Sequence, residues 1–271
     1  MKVFGTAGCS FTYGQGLYYY RWINEWKKYT FEDYENEGWQ WEDANPKKAI
    51  RHKLTQQDLE YMKSISYGGL LSKTLGWEYM STNQNDGNSN LNTFDSIENW
   101  VYSCEDHPYR DIKFIVVQTT EPFRSFNSDF DINDIFDKYG KYPMFHKDVK
   151  LRENPTERTA GETDEKMLQH YHGHIGEESQ KFIDLEKKFR EQYGVQLILF
   201  NWQPEMRVYL QDKPWFITFE NGKTCLDDLN QWTIACELGE HFGIYDHHPS
   251  KTTHQLIHDK VIEKLEEFKI I

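Results

Sequence analysis

The sequence predicts an α/β fold in which a mostly parallel sheet is covered by helices on both faces. Three short runs of apolar, β-branched or aromatic residues are typical of buried strands: Lys2 to Thr6, Ile112 to Gln118 and Val195 to Asn201. Segments with helical periodicity lie between and after these runs, so strands alternate with helices along the chain. This alternation indicates parallel strands, because each parallel connection needs a crossover that is usually a helix.

The predicted helices are spread over the whole chain. They are Tyr67 to Leu75, Phe94 to Tyr102, Glu177 to Tyr193 and Thr253 to Phe268. The last helix has the clearest pattern, because its apolar residues recur at spacings of four, four and three on one face. That face comprises Ile257, Val261, Leu265 and Phe268. We therefore expect this helix to pack on the core of the sheet.

Two stretches exceed what a minimal α/β domain needs. Residues 18–63 are rich in Trp, Tyr, Glu and Lys and have no period-two pattern, and residues 124–176 are polar with several Asp-Asn and Pro turns. Long loops in a compact domain are usually lids or binding elements, or else disordered. We interpret both stretches as insertions at the edge or top of the sheet, within a single domain that spans residues 1–271.

Charge and hydropathy argue against two classes of partner. The chain has 44 Asp and Glu against 31 Lys and Arg, and the formal net charge of −13 repels nucleic-acid backbones and anionic lipid headgroups. Its longest aliphatic or aromatic runs are far shorter than the roughly 18 residues that span a bilayer. The sequence therefore predicts no nucleic-acid partner and no membrane partner.

The N-terminal segment and the cysteines indicate a cytoplasmic chain. Residues 3–8 (V-F-G-T-A-G) are too short and too rich in glycine for the apolar region of a signal peptide, and they favour a first strand. Cys9, Cys104, Cys225 and Cys236 are dispersed without a C-x-x-C pair, which favours free thiols over a disulfide framework or a zinc site. No cofactor is predicted.

A serine follows the first predicted strand, in the segment G-T-A-G-C-S-F-T-Y-G (residues 5–14). Its position exposes the Ser10 hydroxyl at the carboxyl end of the sheet, where N–H groups at the start of the next helix can face a developing oxyanion. The segment is not the G-x-S-x-G elbow of the α/β-hydrolases, because Thr12 replaces the second glycine. Ser10 is a candidate nucleophile; the alternative is that it only caps a helix.

A histidine precedes the last helix in the segment Y-D-H-H-P-S (residues 245–250). Pro249 favours an extended backbone at His248, and Ser250 can cap the helix, so the imidazole is held on a short loop as a general base requires. Asp246 is near enough in sequence to orient His248, as the acid of a catalytic triad does. The alternative is a solvated turn that merely starts the helix.

Together these motifs resemble the SGNH/GDSL hydrolase family. Residues 8–14 (G-C-S-F-T-Y-G) are similar to its first block, and the D-x-H-P-S segment of residues 246–250 to its histidine block. Residues 86–90 (D-G-N-S-N) follow a presumed strand, Glu78 to Ser81, as the oxyanion-hole glycine segment of the family does. The G-C-S-F-T-x-G and G-x-S-N patterns are most similar to SGNH-like proteins of large tailed phages; a phage-encoded chain would be virion-associated.

The resemblance implies a flavodoxin-like three-layer α/β/α sandwich, the SGNH hydrolase fold, and a role for particular residues. Ser10 would be the nucleophile, His248 the base and then the acid, and Asp246 the carboxylate that orients His248. The backbone N–H groups of Ser10 and Gly87 would line the oxyanion hole.

The chain departs from the family pattern at two points. The family adds an asparagine side chain to the oxyanion hole from the loop after the third strand, where this chain has none. We expect Asn90, or alternatively Asn88, to supply that amide from a neighbouring loop. The usual D-x-x-H spacing would place the acid at Tyr245. Asp246 must therefore reach His248 from one residue closer, or His248 acts with a backbone carbonyl.

Other residues are candidates for binding. Arg124, and Glu121 in the same loop, lie near the carboxyl end of the sheet, where Arg124 could hold a polar group of a substrate; a surface salt bridge explains Arg124 equally well. The alternating histidines of residues 170–174 could bind a metal, but their glycine-containing polar surroundings favour an exposed loop without one. Four tryptophans of the first insertion form either a platform for sugar rings or a small core: Trp22, Trp26, Trp39 and Trp41.

The resemblance implies hydrolysis of a small acyl ester through an acyl-serine intermediate, with O-acetyl groups on carbohydrate as the leading substrate class. The alternative is a non-catalytic SGNH scaffold that binds carbohydrate or serves as a virion or assembly component. The two departures from the family pattern favour that alternative.

Overall fold

Four parallel strands form a sheet at the centre of the computed structural model, which describes residues 2–25, 55–81, 89–105, 111–120, 122, 164–242, 244 and 246–271. In chain order the strands are β1 (Lys2–Ala7), β2 (Glu78–Ser81), β3 (Asp111–Thr119) and β4 (Gln196–Asn201). Their order across the sheet is β2-β1-β3-β4. The winding direction therefore reverses between β1 and β3, and open α/β sheets bind ligands at the carboxyl ends of strands at such a point.

Helices connect these strands and cover them. They are α1 (Ser10–Tyr13), α2 (Tyr18–Glu25), α3 (Gln56–Ile65), α4 (Tyr67–Leu75), α5 (Asn90–Glu105), α6 (Asp164–Lys188), α7 (Arg207–Leu210), α8 (Ile234–Phe242) and α9 (Lys251–Glu267). Helix α6 continues into a π-helical turn at Phe189–Tyr193, and short 3₁₀ turns occur at Glu220–Gly222 and Leu226–Asp228. Among the helices described, none has the length and apolar character needed to cross a bilayer.

The sheet buries both of its faces, as its near-continuous apolar strands predict. Along β3, Ile115 and Val117 belong to one buried cluster, which helices α5 and α6 complete. Phe114 and Val116, which alternate with them, belong to a second cluster that α4 and α9 complete. Alternate side chains of a strand point to opposite faces, so the sheet lies between two helical layers in a three-layer α/β/α arrangement.

Most predicted elements occur in the structure with small shifts at their ends. All four predicted strands are present, and α4 has the predicted bounds. On α9, the predicted apolar positions Ile257, Val261 and Leu265 are buried. The capping prediction for Ser250 is also confirmed, because its hydroxyl accepts the backbone N–H of Thr253 at 3.1 Å.

The boundary of the second predicted insertion is wrong. Helix α6 begins at Asp164, well before the predicted start at Glu177, so residues 164–176 belong to the layer that covers the sheet. Tyr171 and Ile175 on this part of the helix are buried in the core. The many polar residues and the two glycines conceal the apolar stripe that these residues form with Phe182.

The first predicted insertion contains helices α2 and α3 at its two ends. Thr55 begins α3 with a capping box, in which its hydroxyl accepts the N–H of Asp58 while the Asp58 carboxylate accepts the N–H of Thr55. Arg21 of α2 forms an ion pair with the buried carboxylate of Asp58. Trp26, Trp39 and Trp41 and the side chain of Trp22 lie outside the described residues, so both interpretations, a platform for sugar rings and a small core, stay predictions.

Candidate active site

Ser10 lies on a tight turn at the carboxyl end of β1. The turn passes through Gly8, whose φ of +152° is unfavourable for other residues. A Cβ atom at Gly8 would also lie 2.2 Å from Thr12 Oγ1 and 3.0 Å from Gln118 Cβ. Ser10 is the first residue of α1, and Cys9 is its N-cap, so the alternative that Ser10 only caps a helix is not what the structure shows.

A buried hydrogen bond ties this turn to the neighbouring strand. The hydroxyl of Thr12 donates to Gln118 Oε1 over 2.8 Å, and both residues are fully buried. Gln118 also lies beside Cys9, with 3.4 Å between its Nε2 atom and the cysteine Sγ. Gln118 was not among the residues predicted to belong to the site. Its signal is the polar side chain that ends the apolar run F-I-V-V of β3.

The structure brings Ser10, His248 and Asp246 together in one chain of hydrogen bonds. His248 Nε2 lies 3.0 Å from Ser10 Oγ, and His248 Nδ1 lies 2.6 Å from Asp246 Oδ1. A carboxylate accepts only, so Nδ1 carries a proton and the lone pair of a neutral imidazole at Nε2 faces the serine hydroxyl. In this arrangement His248 is placed to remove the Ser10 proton.

The short spacing between Asp246 and His248 is accommodated by a local turn. Besides the ring nitrogen, Asp246 Oδ1 accepts the backbone N–H of His248 at 2.8 Å. An Asp side chain that bonds the backbone two residues ahead forms an Asx-turn, which folds the carboxylate back toward the following residues. This turn explains how Asp246 reaches the imidazole although only one residue separates Asp246 from His248, where the D-x-x-H pattern has two.

The backbone of this loop is anchored on both sides. The N–H groups of Ile234 and Ala235, at the start of α8, donate to the carbonyls of His248 and Asp246 at 2.9 and 2.8 Å. Ser250 starts α9 immediately afterwards. The loop is therefore held between the starts of two helices, which restricts the position of the imidazole.

Two side-chain contacts further fix the histidine and its acid. The ring of Phe11 meets the His248 ring edge to face, with 5.0 Å between their centroids. Gly16 packs against the acid, because a Cβ atom there would lie 2.6 Å from Asp246 Oδ2. His248 and Asp246 keep 19% and 13% of their side-chain surface exposed, so both remain accessible from solvent.

A second histidine is buried behind the site. His254 on α9 accepts the backbone N–H of Tyr67 at its Nδ1 atom over 3.1 Å and stacks on the Tyr67 ring. Burial lowers the pKa of His254 from 6.5 to about 3, and the positive charge that a protonated His248 carries acts in the same direction. His254 is therefore neutral at physiological pH and joins α9 to α4.

The structure contradicts the predicted oxyanion role of Asn90. Its amide nitrogen has two hydrogens and donates them to the carbonyl of Thr120 at 3.0 Å and to Glu178 Oε2 at 2.7 Å. Its Oδ1 atom accepts the N–H of Thr120 at 2.8 Å. Asn90 thus joins α5 to α6 and to the end of β3, and no amide proton is left for a substrate oxygen.

Four other predicted site residues are not described by the structure, and one predicted loop is helical. Gly87, Asn88, Glu121 and Arg124 lie outside the described residues, so their roles stay predictions. The predicted exposed loop at residues 170–174 is wrong, because these residues lie on α6.

One histidine of this segment, His174, has two polar partners. His174 lies between Pro122 O at 3.0 Å and the buried Glu178 Oε1 at 3.3 Å. Burial by itself would lower the pKa of His174, but the hydrogen bond to Glu178, the Glu178 charge, the bond to Pro122 O and the Glu177 charge together raise it. In the part of the chain that is described, no group of three or more His, Cys, Asp or Glu side chains is placed to hold a metal.

Comparisons with known proteins add little to this geometry. No protein-family model matches the chain, and no curated protein matches it. A solved structure of a carbohydrate esterase, whose active site displays divergent catalytic and non-catalytic binding functions, is similar with a TM-score of 0.39 and 14% sequence identity. The match covers 98% of this chain and 68% of that chain. Similarity of this extent supports neither a family nor an activity for the chain.

Proposed function

We propose that the protein is a serine hydrolase of the SGNH/GDSL type that cleaves a small acyl ester. The observation that supports this proposal is the hydrogen-bonded series Ser10, His248 and Asp246 at the carboxyl end of β1. It joins two segments that lie 238 positions apart in the chain. A nucleophile bonded to a base that a third group orients is the arrangement by which such sites are recognised.

The proposed reaction has two steps. Ser10 Oγ attacks the ester carbonyl while His248 Nε2 takes its proton, and the imidazolium then gives that proton to the leaving alcohol. Water attacks the acyl-serine in the second step with His248 again as the base, which releases the acid and restores Ser10. Asp246 stabilises the imidazolium in both steps through its bond to Nδ1.

The oxyanion would be bound by backbone N–H groups. Ser10 is the first residue of α1, so its N–H has no acceptor within the helix and is available to a carbonyl oxygen. Gly87 is the proposed second donor. We also propose Glu121 and Arg124 as substrate-binding residues, and carbohydrate O-acetyl esters as the substrate class, on the basis of the sequence resemblance alone.

The experiment that tests this function compares wild type with Ser10→Ala on p-nitrophenyl acetate and on acetylated glycans. Ser64→Ala serves as the matched control, because Ser64 is an exposed serine on α3. We expect Ser10→Ala to lose hydrolysis to background while Ser64→Ala keeps the wild-type rate. Equal rates for wild type and Ser10→Ala would refute the nucleophile assignment.

The occupied amide of Asn90 favours a second candidate, a non-catalytic scaffold that binds carbohydrate or takes part in an assembly. Without a side-chain donor, an oxyanion hole would rest on backbone N–H groups, and loss of one donor lowers turnover by about 100- to 1,000-fold. Glycan binding without release of acetate, equal in wild type and Ser10→Ala, would support this candidate over the hydrolase.

A further inference from the structure

A hydrogen-bonded cluster joins helix α2 to the two helices that flank the His248 loop. It consists of Tyr20 on α2, Glu237 on α8 and the first two residues of α9, Lys251 and Thr252. The side chains of Tyr20 and Glu237 are half-buried, and neither residue was predicted to belong to the site. The cluster lies outside the proposed triad, but helix α8 precedes the loop and helix α9 follows it.

Glu237 is the centre of this cluster. Its Oε2 atom accepts the hydroxyl of Tyr20, and its Oε1 atom accepts the backbone N–H of Thr252 at 3.2 Å. The Tyr20 hydroxyl oxygen in turn accepts the backbone N–H of Lys251 at 3.1 Å. Burial, together with the hydrogen bond to Glu237, raises the pKa of Tyr20, so the hydroxyl keeps the proton that it donates.

These bonds complete the hydrogen bonding at the start of α9. The first N–H groups of a helix have no acceptor within the helix and need one from elsewhere. In α9, Tyr20 accepts the first, Glu237 the second and Ser250 Oγ the third, at 3.1 Å. The Glu237 carboxylate also lies where the helix dipole favours negative charge. The first turn of α9 is therefore held by two other helices as well as by its own cap.

This turn lies next to the proposed base. Only Pro249 and Ser250 separate His248 from α9. On the other side of the loop, the N–H groups that start α8 hold the carbonyls of His248 and Asp246. A shift between α8 and α9 would therefore displace the loop, and Glu237 opposes such a shift because it belongs to α8 and binds the first turn of α9.

Helix α2 approaches the same loop from the side of the acid. Gly16, just before α2, packs against Asp246 Oδ2, and Tyr20 binds the start of α9 one turn later. This segment therefore contacts both the acid and the helix that follows the base. Helix α2 begins the first predicted insertion, residues 18–63, so the start of that insertion is joined to the proposed catalytic loop.

We propose that Tyr20 and Glu237 are positioning residues for the hydrolysis reaction, and that they hold the His248 imidazole in line with Ser10 Oγ. The inference rests on the proposed hydrolase function, and it gives the first insertion a part in catalysis through α2. Both residues act through His248 and not on the ester. Their loss should therefore lower kcat and kcat/KM equally and leave KM unchanged.

Steady-state kinetics on p-nitrophenyl acetate measure this pattern. A misplacement of about 1 Å lowers a rate about 100-fold, and since other anchors of the loop remain, we expect Tyr20→Phe and Glu237→Ala each to lower kcat by about 10-fold. Glu237→Gln should recover most of kcat, because its amide oxygen still accepts the Thr252 N–H. Tyr102→Phe is the matched control. It removes a tyrosine hydroxyl that accepts the Lys188 ammonium at 2.6 Å, where α5 leads toward the amino end of β3.

The proton between His248 and Asp246 gives a readout that does not depend on hydrolysis. A proton in so short a bond, 2.6 Å between Nδ1 and Oδ1, resonates far downfield in the proton NMR spectrum, and His248→Ala identifies it by its loss. We expect Tyr20→Phe and Glu237→Ala to shift or broaden this resonance at a temperature at which both variants are folded. Tyr102→Phe should leave it unchanged.

The outcomes separate the two proposals. If hydrolysis requires Ser10 but Tyr20→Phe has the kcat and the resonance of wild type, the two residues do not position His248 and this inference is wrong, even where the thermal midpoint falls. A change in KM alone would overturn it as well. If no hydrolysis depends on Ser10, the hydrolase proposal fails. In that case a shifted resonance would still show that Tyr20 and Glu237 position the imidazole, and an unchanged resonance would refute it.

Discussion

The contact between Gly16 and Asp246 predicts that a single added methyl group disturbs the proposed triad. A Cβ atom at residue 16 would lie 2.6 Å from Asp246 Oδ2, where ordinary contact begins near 3.4 Å, so the carboxylate must retreat by about 0.8 Å. The same Cβ atom would lie 2.7 Å from Ile234 Cδ1, so the new methyl group cannot relieve the contact by moving toward Ile234. Since a misplacement of about 1 Å can lower a rate about 100-fold, Gly16→Ala should lower kcat by about 10- to 100-fold.

The matched controls for Gly16→Ala are Gly76→Ala and Gly194→Ala. All three glycines have positive φ angles, of +85°, +67° and +64°, so each substitution introduces similar backbone strain. A Cβ atom at Gly76 or Gly194 meets nothing within 4 Å. The assay measures kcat on p-nitrophenyl acetate together with the thermal midpoint of each variant. If Gly16→Ala loses no more activity than the controls, the contact with Asp246 does not position the triad.

Three further predictions concern the acid, the buried glutamine and the buried histidine. Asp246→Asn should lower kcat by about 1,000-fold or more at pH 7, because an amide neither stabilises the imidazolium nor fixes the tautomer of His248, and steady-state kinetics measure this loss. Gln118→Leu leaves the buried Thr12 hydroxyl without its acceptor and should lower the free energy of unfolding by about 1–3 kcal/mol, which urea denaturation measures. His254 stays neutral in the fold down to about pH 3 but gains a proton below pH 6.5 when unfolded, so stability is lost as the pH falls through this window, by up to roughly 1.4 kcal/mol per pH unit. In His254→Gln, which cannot titrate, the stability loss between pH 7 and pH 5 should be smaller than in wild type.

Each of these predictions has a result that contradicts it. An Asp246→Asn variant with wild-type kcat would show that His248 needs no carboxylate. A Gln118→Leu variant as stable as wild type would mean that the bond to Thr12 does not hold the turn. For His254→Gln, a loss of stability on acidification equal to that of wild type would place the acid sensitivity in other groups.

The sheet could be predicted because its strands are short apolar runs with clear limits. The four strands and helices α4 and α9 follow directly from apolar runs, glycines and a capping serine. The start of α6 could not be predicted in the same way, because only Tyr171 and Ile175 mark its buried face among polar residues and glycines. Helices α7 and α8 lie in a segment without a long apolar period. Helix α7 packs against α6, and the first residues of α8 donate to the carbonyls of His248 and Asp246, so their positions depend on contacts between distant parts of the chain.

The parts of the candidate site that lie in short sequence motifs could be predicted from the sequence. Ser10 and His248 could be identified because each follows or precedes a regular element in a recognisable motif. The failed prediction for Asn90 has a long-range cause, since its amide is bound by Thr120 and Glu178 from other parts of the chain.

The most direct test of the central claim, that His248 activates Ser10 as a nucleophile, is labelling with a fluorophosphonate followed by peptide mass spectrometry. We predict one phosphonate adduct on Ser10 of the wild-type protein, strongly reduced in His248→Ala and absent in Ser10→Ala. His247→Ala, which changes the exposed neighbouring histidine, should label like wild type. No adduct on Ser10, or an adduct that forms equally well without His248, would contradict the claim.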